Sequence, residues 1–280
     1  MPSMCVNATL SFLADDGLYL NERPYSLKFE APAGLRRSNI LVEKHQQIIE
    51  DVRGLEKCPT LDENGFILVP LDTEMTYEDF EEEDRVRAVY LVEVAEMLQK
   101  LVGASRVQVF EYVVRKQDVN FPISTGKPYK YNQPTTMVHI DINKGWAKKL
   151  AKTLNHRIGQ EVPSQNYKFY NIWRPLRGPV IDRPLALCDN SNLDLDNITT
   201  GDVVYQDFAV NNECMRYGED QKWYYASNQT ESEAWVFEQG DAKPETRHGV
   251  PHCSFEHPDS KNDDVPREAI EVRALAFFKD

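Results

Sequence analysis

No apolar run among the 280 residues approaches the roughly 20 that a membrane-crossing helix needs. The opening stretch, Met1-Pro-Ser-Met-Cys-Val-Asn, has neither a basic start nor an apolar core, so no secretory leader is expected and a cytoplasmic location is. Cysteine is sparse: Cys5, Cys58, Cys188, Cys214 and Cys253 are odd in number, scattered, and form no Cys-x-x-Cys pair. Reduced thiols are expected rather than a disulfide framework. Basic residues are in deficit, 32 against 45 acids, for a net charge of −13. Such a chain repels phosphate backbones and anionic lipid, which argues against nucleic-acid or membrane partners. There is no Gly-rich phosphate loop, no Gly-x-Ser-x-Gly elbow and no His-Glu-x-x-His. Nucleotide enzymes, serine hydrolases and zincins thereby lose their usual signatures. Nor is there a Gly/Ser/Pro linker or a repeat. A chain of this length with 41% hydrophobic residues is expected to fold as one domain over 1–280.

What is present falls into two textures. Residues 1–75 are turn-rich, with β-like runs at 7–13 and 65–70 and a short helix expected within 38–53. Thr76 then reads as an N-cap, and apolar residues at helical spacing from Phe80 to Leu101 predict a helix that Gly103 closes. The acidic run 81–84 sits at the helix start, where a solvated face is expected rather than a metal cluster. We expect residues 1–103 to pack on a barrel formed by 104–280. In that second part, alternation predicts a strand over 106–115, and Trp146, Leu150 and Leu154 mark a helix over 144–160. Short β-runs follow at 168–174, 185–188, 203–206, 223–226, 235–238, 250–255 and 269–278. Many short strands at this spacing point to a mainly β jelly roll with flanking helices.

The chemistry centres on Met137-Val-His-Ile-Asp-Ile. His139 and Asp141 alternate with β-favouring Val138, Ile140 and Ile142. In a strand, i and i+2 share a face, roughly 6.6 Å apart along the backbone. One imidazole and one carboxylate so placed can hold two positions of a metal ion, or can simply hydrogen-bond to each other. A distant His would complete a two-His-one-carboxylate triad with open positions for oxygen chemistry. His45 lies far upstream, His156 sits mid-helix, His248 follows Arg247 and His257 precedes Pro258. His252, in Val-Pro-His-Cys-Ser-Phe, lies within an apolar β-run and is the best third ligand, since a His buried there needs a partner.

The last strand carries Arg267 and Arg273 on one face by parity. Each is either an internal ion-pair partner or a guanidinium gripping the distal carboxylate of a dicarboxylic acid. A hairpin centred near Asn262 would set His252 opposite about residue 272 and favour Arg273. On the strand at 168–174, Asn171 and Trp173 share one face; either Trp173 is core and Arg174 pairs with an acid such as Asp182 or Asp189, or Asn171 and Trp173 line a pocket. Tyr131, Tyr224 and Tyr225 are further pocket candidates, as are the irregular stretches 1–75, 116–135 and 207–222.

Eight stretches, in order along nearly the whole chain, carry a resemblance. They are Asp51-Val-Arg-Gly-Leu-Glu, Leu61-Asp-Glu-Asn-Gly-Phe, Val138-His-Ile-Asp, Tyr170-Asn-Ile-Trp-Arg-Pro-Leu, Pro184-Leu-Ala-Leu-Cys-Asp, Trp223-Tyr-Tyr, Val250-Pro-His-Cys-Ser-Phe and Pro266-Arg-Glu-Ala-Ile-Glu-Val-Arg-Ala-Leu. The chain resembles the fungal AsaB-type hydroxylase/desaturase family of secondary metabolism, related to gibberellin desaturase and cephem methoxylase-like proteins. The resemblance implies a non-haem Fe(II), 2-oxoglutarate-dependent oxygenase on a double-stranded β-helix of cupin type. It implies that His139, Asp141 and His252 ligate iron, that Arg267 or Arg273 anchors 2-oxoglutarate, and that Asn171 and Trp173 line the pocket. It further implies a small-molecule substrate consumed with O2, giving succinate and CO2. Where many relatives read Arg-Glu-Ser, this chain reads Arg267-Glu-Ala. Two other readings use the same residues: a cupin-like metal dioxygenase or isomerase without 2-oxoglutarate, and a non-catalytic small-molecule-binding jelly roll. Oligomeric state is not legible.

Overall fold

The computed structural model describes residues 5–279 apart from 124–128, 158, 160–165, 192, 242–247 and 262. Fourteen strands follow one another along these residues. They are β1 (Cys5–Leu13), β2 (Tyr25–Leu27), β3 (Val42–Asp51), β4 (Phe66–Pro70), β5 (Arg106–Lys116), β6 (His139–Ile140) and β7 (Tyr167–Pro175), then β8 (Leu185–Cys188), β9 (Ile198–Val204), β10 (Ala209–Met215), β11 (Trp223–Tyr225), β12 (Glu233–Asp241), β13 (His252–Ser254) and β14 (Glu268–Phe277). Four α-helical segments interrupt them: α1 (Leu61–Asn64), α2 (Glu83–Arg85), α3 (Leu91–Val102) and α4 (Lys144–Arg157). One sheet runs β1-β3-β11-β8-β13-β6-β10-β9-β2, and a second runs β4-β12-β7-β14-β5. The two curl against each other as a jelly roll.

Strand parity decides what each face does. In the five-stranded sheet Ile172, Val236, Ile270, Val272 and Ala274 point outward, into a core shared with Val94 and Leu98 of α3. The alternate residues, including Trp173, Trp235, Phe237 and Ala269, point inward and meet Leu185 and Leu187 of the larger sheet. Gly103 ends α3 at φ +66°, a left-handed conformation that suits glycine. The side chains of Thr76 and Asp79 cap each other's backbone N–H at the start of that helical stretch, as expected.

The larger sheet folds back on itself. Leu10 and Phe12 of β1 cover Val138, Ala186, Cys188 and Cys253, which are the outward residues of its middle strands. The N–H of Val138 donates to the carbonyl of Ser11 at 2.8 Å.

Several expectations need correction. Residues 1–103 do not merely pack on the barrel: β1, β2 and β3 extend the larger sheet and β4 edges the smaller one. The helix expected within 38–53 is the strand β3, paired with β1 from Val42 to Glu50. Its pattern Gln47 and Ile49 buried, Ile48 exposed, has a period of two that long-range pairing selects over local helicity. The stretch 207–222, expected as loop, holds β10. The strand expected over 203–206 lies earlier, at β9. The helix over 144–160 is seen as α4 to Arg157; residues 158 and 160 lie outside the described residues. All five cysteines are unpaired.

Candidate metal centre

His139 and His252 are cross-strand neighbours. β6 pairs antiparallel with β13 in the register His139 opposite His252, so their rings stand 4.4 Å apart between centroids. Asp141 follows just past the end of β6, and its N–H donates to Oε1 of Gln239 at 2.7 Å, which fixes the turn out of the strand. Asn143 then accepts from the N–H of Trp146 and caps α4. The Nε2 of His139 lies 3.4 Å from Asp141 Oδ1, and that of His252 lies 3.7 Å from Oδ2. One ligand atom from each of the three residues falls within 4.8 Å of the others.

The tautomers follow from the backbone. His139 Nδ1 lies 2.9 Å from the carbonyl of Met137, and His252 Nδ1 lies 3.1 Å from the carbonyl of Val250. A carbonyl has no proton to give, so each Nδ1 carries the hydrogen and each Nε2 presents a lone pair toward Asp141. Burial and the neighbouring His139 lower the pKa of His252 to about 4, so its ring is neutral at ordinary pH. Burial alone raises the Asp141 carboxyl. The Arg273 guanidinium outweighs it and holds the group well below the usual carboxylate range. Two imidazole Nε2 atoms and a carboxylate converging on one point are a fitting donor set for Fe(II).

Around this triad lies a ring of polar partners. Asn171 Nδ2 donates to Asp141 Oδ2 at 2.6 Å. Arg273 donates to Asp141 Oδ1 at 2.9 Å and to Glu111 at 2.8 Å, and its Nη2 lies 2.9 Å from Glu271 Oε1. Three carboxylates thus occupy Arg273. Arg267 differs. It is 4% exposed and lies over the Trp173 ring at 4.7 Å; its backbone N–H donates to Asp182 and its guanidinium to the carbonyl of Arg183, while its Nε has no partner among the described residues. Burial lowers its pKa to about 9. Asn171 Oδ1, Trp173 Nε1, Trp235 Nε1 and Ser254 Oγ are also buried without partners.

A cavity of about 700 Å³ opens on His139, Asp141 and Arg273. Lys28, Phe110, Arg115, Trp146 and Tyr205 are among its other walls.

The expectations for the remaining residues divide. The hairpin register that favoured Arg273 fails, because β13 and β14 belong to different sheets; its centre, Asn262, lies outside the described residues. Arg273 nonetheless reaches the centre, through β7, where it sits opposite Asn171. Arg174 pairs with neither Asp182 nor Asp189; it lies over the rings of Phe80 and Tyr90 beneath the helical stretch. Tyr131 does not line the cavity: its hydroxyl donates to Glu81 at 2.8 Å. Tyr224 packs on Phe66 and Tyr225 on Phe255. His248 lies 2.9 Å from Glu213, and His45 stacks on Tyr217. Missed at the sequence level were Gln239, Glu271, Glu111, Arg115 and Lys28. The parity that links Arg267 to Arg273 also passes through Glu271, and it was the one available signal.

A family model described as an oxidoreductase/YMDC permease-like domain matches residues 10–277. No helix of the described residues is long and apolar enough to cross a membrane. The α-ketoglutarate-dependent dioxygenase tstK of Talaromyces stipitatus is 28% identical over 236 residues, 82% of this chain and 84% of that one. The hydroxylase/desaturase CTB9 of Cercospora beticola is 30% identical over 251 residues, 83% and 76% of the two chains. In fold, the chain is similar to the iron and α-ketoglutarate-dependent endoperoxidase NvfI, with a TM-score of 0.83 over the full length of both chains at 24% identity. The chain belongs to the fungal hydroxylase/desaturase family of Fe(II)/2-oxoglutarate-dependent dioxygenases.

Proposed function

We propose that residues 1–280 form one oxygenase domain, working in the cytoplasm, in which His139, Asp141 and His252 hold Fe(II). The reading is carried by one observation: two imidazoles, each with Nδ1 committed to a backbone carbonyl, converge with a carboxylate within 4.8 Å. The enzyme hydroxylates, desaturates or oxidatively cyclises a small-molecule intermediate of secondary metabolism. O2 is the oxidant, which bound iron would activate, and 2-oxoglutarate would be oxidised alongside the substrate, leaving as succinate and CO2.

The chain's own residues bind and orient. Arg267 takes the distal carboxylate of 2-oxoglutarate. Its orphan Nε is a buried polar atom that an anion would satisfy, as is the Ser254 hydroxyl of β13 in the facing sheet, unpartnered among the described residues. Arg273 keeps Asp141 ionised and oriented, a role that its three carboxylate partners favour over gripping the co-substrate. Asn171 holds the second oxygen of Asp141. Inward-facing aromatic side chains on the smaller sheet keep water from the centre.

The test is succinate formation from 2-oxoglutarate with Fe(II), set beside anaerobic Fe(II) binding. Asp141→Ala is expected to lose both. Full turnover by that variant would remove the carboxylate from the scheme, and turnover without 2-oxoglutarate would favour the cupin-like reading.

A further inference from the structure

The cavity beside the triad has an apolar side and a cationic one. Phe110, Trp146 and Leu150 line it, with the stacked pair Tyr205–Phe208 from the β9–β10 hairpin, whose rings lie 4.6 Å apart at 15°. Besides Arg273, which its carboxylates occupy, two cations face it, Lys28 and Arg115. Lys28 is placed at the rim by β2, and its N–H donates to the carbonyl of Val204. Its ammonium has no hydrogen bond or ion pair among the described residues. The acids that line the same cavity already have partners. Glu111 and Asp141 are taken by Arg273, and Asp202 by Asn211 and Arg23. Arg115 spends one nitrogen on the carbonyl of Gln133 and has Glu271 only at 3.8 Å. Burial, then Arg115 and Arg37, depress the Lys28 ammonium from its ordinary value, as expected for cations gathered without an anion.

We propose that the substrate of this cavity is an amphiphilic acid, whose anionic oxygen, carboxylate or enolate, is held by Lys28 and Arg115 while its bulky apolar or aromatic body packs against Phe110, Trp146, Leu150, Tyr205 and Phe208. This rests on the cavity being the place where the iron's substrate sits. A neutral analogue of the same shape fills the apolar part but leaves two cations facing each other.

The probes are anthracene-9-carboxylate and its carboxamide, equal in shape and different in charge. Each is titrated calorimetrically into oxygen-free protein loaded with Fe(II) and saturating 2-oxoglutarate. The acid is expected to bind roughly tenfold tighter than the amide, the scale of one charge-assisted hydrogen bond. Lys28→Met is expected to erase that preference and Lys28→Arg to keep it. Equal affinities, including no binding of either probe, overturn the proposal. So does a Lys28→Met protein that still prefers the acid. Displacement of the acid by further 2-oxoglutarate also overturns it, by assigning the anion to the co-substrate's place. The absorption band that 2-oxoglutarate raises on the Fe(II) protein reports the metal centre separately. Its absence, with the acid preference intact, would remove the iron–co-substrate reading and leave the cation pair standing.

Discussion

Asn171 donates its side-chain N–H to Asp141 across the space between the two sheets, at 2.6 Å. The bond joins an inward residue of β7 to the only carboxylate of the triad, and Arg273 takes the other oxygen of that carboxylate. Both oxygens of Asp141 are therefore restrained, each by one hydrogen bond. Asn171→Ala is expected to weaken Fe(II) binding by about 10- to 100-fold, the usual cost of losing a partner of a metal ligand. Anaerobic titration of the metal-free protein measures it; an unchanged affinity would show that the bond is incidental.

The two arginines of β14 are expected to fail differently. Arg267→Met should raise the KM for 2-oxoglutarate by about tenfold or more while the fold survives, because Arg267 has no ion pair to lose. Arg273→Met strands Asp141, Glu271 and Glu111 together. It should lower stability by about 3–5 kcal/mol, the cost of breaking a buried pair, and lower Tm accordingly. If Arg273→Met instead altered only the KM for 2-oxoglutarate, the roles would be reversed.

The metal-free protein should lose stability in mild acid. The unfolded chain binds a proton at His252 near the ordinary value of 6.5, whereas the folded chain resists until about 4. Unfolded protein thus holds more protons between those values. The stabilisation is complete above 6.5 and drains away as pH falls toward 4, at up to about 1.4 kcal/mol per pH unit. The depressed Asp141 adds to the trend in the same direction. Thermal melts from pH 7.5 to 4.5 test this. His252→Gln should flatten the curve between pH 6.5 and 5, and a slope identical to that of the unaltered protein would count against the assignment.

Gly249 sits where no side chain fits. A Cβ there would lie 2.6 Å from the carbonyl oxygen of Gln239 and 2.6 Å from Ile140 Cγ2. The Gln239 backbone would have to move, and with it the side chain that holds the N–H of Asp141. Gly249→Ala is therefore expected to cost about 1–3 kcal/mol of stability and to weaken iron binding as well. Wild-type Tm together with wild-type iron affinity is the contrary result.

That His139, Asp141 and His252 meet was legible, the first two because they are close in sequence and the third because its own surroundings single it out. Two residues at strand spacing point one way, and a single further His lies in an apolar β-run. Helix α3 was legible for the same reason: its spacing and its Gly103 stop are contained in one window. Arg267 and Arg273 could not be ranked from the sequence, since the ranking depends on which strands flank β14. Those are β5 and β7, 162 and 102 residues upstream at the Glu111 and Asn171 positions opposite Arg273. β3 was misread because its Gln-Gln-Ile-Ile centre suits a helix as well as a strand, and only pairing with β1 decides. Lys28 was invisible. Nothing in its own neighbourhood says that β2 will bring it to a cavity whose walls come from the middle of the chain.

The hydrogen bond from Val138 to Ser11 ties the first strand to the residue just before His139. β1 supplies no member of the triad, yet it covers the back of the strand that carries one of them. Clipping the chain before β3 would therefore strip a brace from behind the centre. Such a shortened protein would lose its grip on iron without the loss of a single ligand, and alanine scanning of the pocket alone would never reveal the dependence.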